Sequence, residues 1–134
     1  MSATNVPRTI LIIDDDPDVV SYLEAVVRDA GHNAVGTTDS GQGLTLARQL
    51  HPDVICLDIV MPEPTGVKLY RDLRADAELS LIPIVMVTGV LPQFRDFIHH
   101  RKHVPPPDGY LAKPFSPAEL IATLERLMPQ QPQA

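Results

Sequence analysis

Short apolar runs recur along the chain, and each stops at a polar residue. Ile10-Leu11-Ile12-Ile13 ends at Asp14-Asp15-Asp16, Val54-Ile55-Cys56-Leu57 ends at Asp58, and Ile84-Val85-Met86-Val87 ends at Thr88. A shorter run, Tyr110-Leu111-Ala112, is followed by Lys113. Apolar runs of about four or five residues, bounded in this way, predict strands buried on both faces of a parallel sheet. The strands expected are about 8–13, 33–37, 54–58, 82–87 and 109–112.

Between these runs the apolar spacing changes to three and four. Val19, Val20, Leu23, Val26 and Val27 predict a helix with Pro17 in its first turn, Asp16 as candidate N-cap and Gly31 as its stop. Ser40 is the candidate cap of a helix carrying Leu44, Ala47 and Leu50 on one face, ended by Pro52. Met61–Gly66 is expected as a loop, and a helix over about 66–75 should bury Val67, Leu69 or Tyr70, and Leu73. Phe94, Phe97 and Ile98 form a short apolar stripe within 92–103, before Val104-Pro105-Pro106-Pro107 breaks any helix. Ser116 and Pro117 start the last helix, which turns Leu120, Ile121, Leu124 and Leu127 inward. Strand and helix thus alternate over 8–128, which predicts one α/β domain with helices on both faces of a parallel sheet. Residues 1–7 are expected as an N-terminal tail, and 129–134 as a disordered Gln/Pro tail without core residues.

Composition narrows the function. A chain of 134 residues with 44% hydrophobic and 21% charged residues suits one globular domain. Its net charge of −6 argues against nonspecific binding to nucleic acid or membrane surfaces. Cys56 is the only cysteine, so no internal disulfide forms, and its mid-strand position predicts a buried, inert thiol. No apolar stretch reaches the roughly 18 residues of a membrane span, and the start lacks a basic-then-apolar signal pattern. A cytoplasmic location is expected.

Ligands of parallel sheets bind at the carboxyl ends of the strands. Asp14, Asp15, Asp58, Thr88 and Lys113 should therefore share one rim. Carboxylates, a hydroxyl and an ammonium together can hold a divalent cation and a phosphoryl group.

Four segments carry a resemblance: Ile13-Asp14-Asp15-Asp16, Leu57-Asp58-Ile59-Val60-Met61-Pro62, Met86-Val87-Thr88-Gly89 and Gly109-Tyr110-Leu111-Ala112-Lys113-Pro114-Phe115. Taken in order over about 8–128, they make the chain resemble the receiver domain of bacterial two-component response regulators, of the single-domain chemotaxis type. The resemblance implies a flavodoxin-like, doubly wound five-stranded parallel sheet in strand order 2-1-3-4-5. It implies Asp58 as phosphoacceptor, with Thr88 and Lys113 binding the phosphoryl oxygens. Mg²⁺ or Mn²⁺ would be held by Asp14, Asp15, Asp58 and the backbone carbonyl of Val60, and Thr88 with Tyr110 would form the switch. The chemistry agrees, because crowded carboxylates repel one another and a hard dication relieves the repulsion. The implied phosphodonor is a histidine kinase or a histidine phosphotransfer protein. Output would pass by protein–protein contact to a downstream target, with no nucleic-acid or membrane partner. An ending without effector sequence favours a complete protein, the alternative being a fragment whose Gln/Pro tail opens a linker.

Three other readings compete. Asp14-Asp15-Asp16 also satisfies the Asp-x-Asp pattern of haloacid-dehalogenase-type phosphatases, with Asp14 as nucleophile and Asp16 as general acid. Against it stand the lack of room for a cap insertion and of an acidic pair after Lys113, with Pro17 and Asp18 where a small or hydroxyl residue is usual. A pseudo-receiver scaffold that binds partners without phosphorylation is the second, opposed by the intact set of chemical residues. His99, His100 and His103 invite a metal-site reading, but a solvated basic stretch with Arg101 and Lys102 needs no further ligand. The chain departs from the family at Thr65, where Asp is usual, at Gly89, where Ala is usual, and over 92–108. There the fourth helix is expected to be shortened, shifted or partly unfolded, which implies an unusual partner or pairing mode.

Overall fold

β1 (Thr9–Ile13) has no side chain suited to water from Ile10 onward, and Ile10, Leu11, Ile12 and Ile13 are fully buried. It pairs in parallel with β2 (Asn33–Thr37) on one side and β3 (Val54–Asp58) on the other. β3 pairs with β4 (Ile84–Thr88), which pairs with β5 (Gly109–Ala112), giving the order β2-β1-β3-β4-β5. The computed structural model describes residues 8–58, 65–88, 108–112 and 114–128, the side chains of 65–67 and of Thr88 excepted.

Alternation along the strands divides the core into two layers. Ile10, Ile12, Cys56, Val85, Val87 and Leu111 face α1 (Pro17–Asp29) and α4 (Pro117–Leu127), which contribute Val20, Leu23, Val27, Leu120 and Leu124. Leu11, Ile13, Ile55, Leu57, Ile84 and Met86 face α2 (Ser40–Leu50) and α3 (Thr65–Ala75), which contribute Ala47, Leu69, Tyr70 and Leu73. Each large aliphatic side chain moved out of water contributes roughly 1.5–3 kcal/mol, and this burial holds both layers to the sheet. The expected doubly wound architecture is the one observed.

Helix ends follow local chemistry, with some shifts from expectation. Asp16 caps α1 by accepting from the Asp18 N–H at 2.9 Å, and Pro17 follows it. Gly31, at φ 93°, closes the other end: its N–H donates to the Arg28 carbonyl, and the His32 N–H donates to the Val27 carbonyl. The cap of α2 is Asp39 rather than Ser40, its carboxylate accepting from the Gly41 N–H at 2.8 Å. Two adjacent capping residue types made the choice ambiguous in sequence, and the carboxylate prevails. Before Pro52 can act, His51 ends α2 in the left-handed region at φ 45°. α3 begins at Thr65, so Thr65 and Gly66 belong to the helix and not to the loop, and both Leu69 and Tyr70 are buried. β4 starts at Ile84, later than expected, because residues 77–81 form a turn whose N–H groups at Glu78 and Leu79 donate to Asp76. Ser116 and Glu119 form a reciprocal capping box at the start of α4. The expectations for 1–7, 92–107 and 129–134 lie outside the described residues.

Candidate functional site

Parallel register places the acidic residues side by side. β1 and β3 align Ile13 with Leu57, so Asp14 and Asp58 follow at adjacent strand ends. The carboxylates of Asp14, Asp15 and Asp58 offer oxygens that all lie within 4.8 Å of one another. Asp14 and Asp58 are buried, at 1% and 4% exposure, while Asp15 is open to solvent. The backbone holds Asp14 in place: its N–H donates to the Thr37 carbonyl at 3.2 Å, and its Oδ1 accepts from the Asp16 N–H at 2.9 Å.

The third acid of the run has a different use. Asp16 turns its carboxylate onto the first turn of α1 and acts as the helix cap. Three hard oxygen donors on one rim, two of them shielded from water, suit a dication such as Mg²⁺ and not a soft metal.

The same register brings the remaining strand ends to this rim. Asp58 pairs with Val87, and Thr88 pairs with Ala112, the residue before Lys113. The side chain of Thr88, the whole of Val60 and the whole of Lys113 lie outside the described residues. Tyr110 is half-buried on β5 and packs against the layer that contains Tyr70, Ile84 and Met86. Cys56 sits beneath the site, and burial pushes its thiol up to about 12, so it is inert as expected.

Sequence reasoning missed one cluster. Arg74, only 10% exposed, binds Asp108 through its Nη2 at 2.6 Å, immediately before β5. The partners are 34 positions apart in the chain, so no local spacing announces them.

A five-stranded parallel sheet in this order, with carboxylates gathered at the ends of β1 and β3, defines a receiver domain. The pattern of the response regulator receiver domain family matches residues 10–125, and the chain belongs to that family. It is 36% identical over 119 residues to protein PilH of Pseudomonas aeruginosa, covering 89% of this chain and 96% of PilH. It is 37% identical over 115 residues to the DNA-binding response regulator MtrA of Mycolicibacterium smegmatis, covering 86% of this chain. The chain spans about half the length of MtrA, 48%. Chemotaxis protein CheY4 of Vibrio cholerae superposes with a TM-score of 0.79 at 27% identity, covering 92% of this chain and 100% of CheY4. The receiver domain of a Pseudomonas aeruginosa sensor histidine kinase, with magnesium coordinated in its active-site cleft, gives a TM-score of 0.79 at 28% identity. That match covers 91% of this chain and 98% of the other. Domains of this family are phosphorylation-dependent signalling switches and not classical enzymes. Among the described residues, no helix is long and apolar enough to cross a membrane.

Proposed function

We propose that this chain is a signalling switch that accepts a phosphoryl group on Asp58 and signals through altered protein–protein contact. The observation that carries the reading is the gathering of Asp14, Asp15 and Asp58 at adjacent ends of β1 and β3. An oxygen of Asp58 attacks phosphorus, the bond from phosphorus to the donor breaks, and the donor departs with those electrons. The product is an acyl phosphate, which water later hydrolyses. Asp14, Asp15, Asp58 and the carbonyl of Val60 are the residues that would hold Mg²⁺ or Mn²⁺. When bound, the ion supplies positive charge that offsets the phosphoryl oxygens. Lys113 binds one phosphoryl oxygen and Thr88 donates to another, and the movement of Thr88 is passed to Tyr110. The donor is a histidine kinase or a histidine phosphotransfer protein of the cytoplasm, and the output is a downstream protein.

Intact-mass measurement after incubation with acetyl phosphate and Mg²⁺ tests this. Wild type should gain about 80 Da, one phosphoryl group, and Asp58→Asn should gain none, because an amide oxygen is a poor nucleophile. Lack of any gain in wild type would favour a phosphorylation-independent scaffold. Full labelling of Asp58→Asn would move the nucleophile elsewhere.

A further inference from the structure

Arg74 presents an unusual concentration of bonds for a residue outside the acidic rim. Its Nε donates to the Tyr70 hydroxyl at 3.3 Å, and its Nη1 donates to the carbonyls of Ser80 and Ile82, each at 3.1 Å. Its Nη2 donates to Asp108 Oδ2 at 2.6 Å, and the guanidinium carbon lies 5.3 Å from the centre of the Tyr70 ring. The fork therefore spends four of its five N–H groups on four different residues. A lysine cannot reproduce that geometry.

Asp108 carries the grip into the sheet. The same Oδ2 accepts from the Ile84 N–H at 2.9 Å, while the Asp108 N–H donates to the Ile84 carbonyl at 3.0 Å. Arg74 thus ties α3, the turn after it, the first residue of β4 and the residue before β5 into one knot. β5 gains from such a tie. It has four residues and stands at an edge of the sheet, where among the described residues it pairs with β4 alone. Lys113 follows its last residue in sequence.

We propose that Arg74 is a positioning residue for phosphoryl transfer. Gripping Asp108, it fixes where β5 begins, and the rigid strand then fixes where Lys113 starts its reach towards the phosphoryl group. This rests on the reading of Asp58 and Lys113 given above. Misplacement of a charged group by about 1 Å can cost up to about a hundredfold in rate, so a loosened strand end is felt at the chemistry. The carboxylates are insulated from the same loosening. They stand at the ends of β1 and β3, and β4 lies between them and β5.

The experiment compares wild type, Arg74→Met, Asp108→Asn, Lys113→Ala and Arg74→Met/Lys113→Ala, each checked for folding by circular dichroism. Two quantities are read: the Mg²⁺ dissociation constant by calorimetry, and the phosphorylation rate with acetyl phosphate at saturating Mg²⁺. Arg74→Met should keep its Mg²⁺ affinity within about twofold and lose about tenfold in rate, equal to 1.4 kcal/mol of barrier. Asp108→Asn should lose about threefold, since its amide oxygen still accepts from Ile84 but the ion pair is gone. In the Lys113→Ala background Arg74→Met should cost nothing further, because the group it positions is absent. A purely structural role would lower the melting temperature and leave the rate unchanged. A wild-type rate in Arg74→Met overturns the proposal, as does an equal loss with and without Lys113. If Arg74→Met does not fold, Asp108→Asn and Asp108→Asn/Lys113→Ala decide by the same criteria. Labelling of Asp58→Asn in parallel separates failure of this proposal from failure of the phosphoacceptor assignment.

Discussion

Asp14 and Asp58 hold carboxylates at a rim where water reaches little of either side chain. Two ionised carboxylates whose oxygens lie within 4.8 Å of one another repel by about 3 kcal/mol or more at an effective dielectric constant near 20. A bound dication removes that repulsion and binds the folded state alone. Mg²⁺ at a hundred times its dissociation constant should stabilise the fold by about 2.7 kcal/mol, seen as a rise in melting temperature. Asp15→Ala should reduce that rise, because it removes one of the three oxygen donors, and a wild-type melting temperature indifferent to Mg²⁺ would count against the site. Cys56 gives a second expectation. Burial raises its thiol from 9.0 to about 12, so the folded state keeps the proton that the unfolded chain releases. The stability this contributes is complete below pH 9 and is lost as pH rises from 9 through 12. Cys56→Ala should flatten part of that alkaline decline, to which Tyr70 also contributes, since burial raises its hydroxyl too. An identical alkaline profile in Cys56→Ala would contradict this. At this scale the sequence exposed residues whose neighbours in the chain explain them, such as Asp16 before Pro17. Arg74 was not legible, since nothing near it in sequence hints at Asp108.

Elements are set by where apolar runs stop and by how closely backbones approach. α1 lies against β2 so tightly that a Cβ on Gly36 would overlap Val20 Cγ1 and come within 2.9 Å of Glu24 Oε2. Val20 is β-branched and buried, so its methyl group has nowhere to retreat. Gly36→Ala should therefore cost about 1–3 kcal/mol, read by denaturant unfolding, and Val20→Ala should recover part of that loss in the double variant. Unchanged stability in Gly36→Ala would show that the helix can shift outward. Strand extents were plain in the sequence wherever burial on both faces forbids polar residues, as in Val54–Leu57. Ends were less plain. Ser40 and Asp39 are both capping types, and the late start of β4 depends on a turn organised by Asp76, whose carboxyl is held below its usual range chiefly by Arg48.

Across the whole molecule, parallel pairing brings residues distant in sequence to a common rim. Asp14 and Asp58 become neighbours because Ile13 and Leu57 share a register, and that register follows from two apolar runs ending in acids. The strand order itself came from resemblance to a family, because burial patterns alone permit other orders of five parallel strands. The gathering of Asp14, Asp15 and Asp58 was legible for a related reason: a strand's end is marked by its first polar residue, and parallel strands bring those ends together. The most direct test is to identify the phosphorylated atom. Borohydride reduces an acyl phosphate on aspartate to homoserine, and peptide mass spectrometry then locates the converted residue. After phosphorylation with acetyl phosphate and Mg²⁺, homoserine should be found at position 58 alone. Conversion at Asp14 or Asp15, with Asp58 intact, would contradict the assignment of Asp58 as the nucleophile.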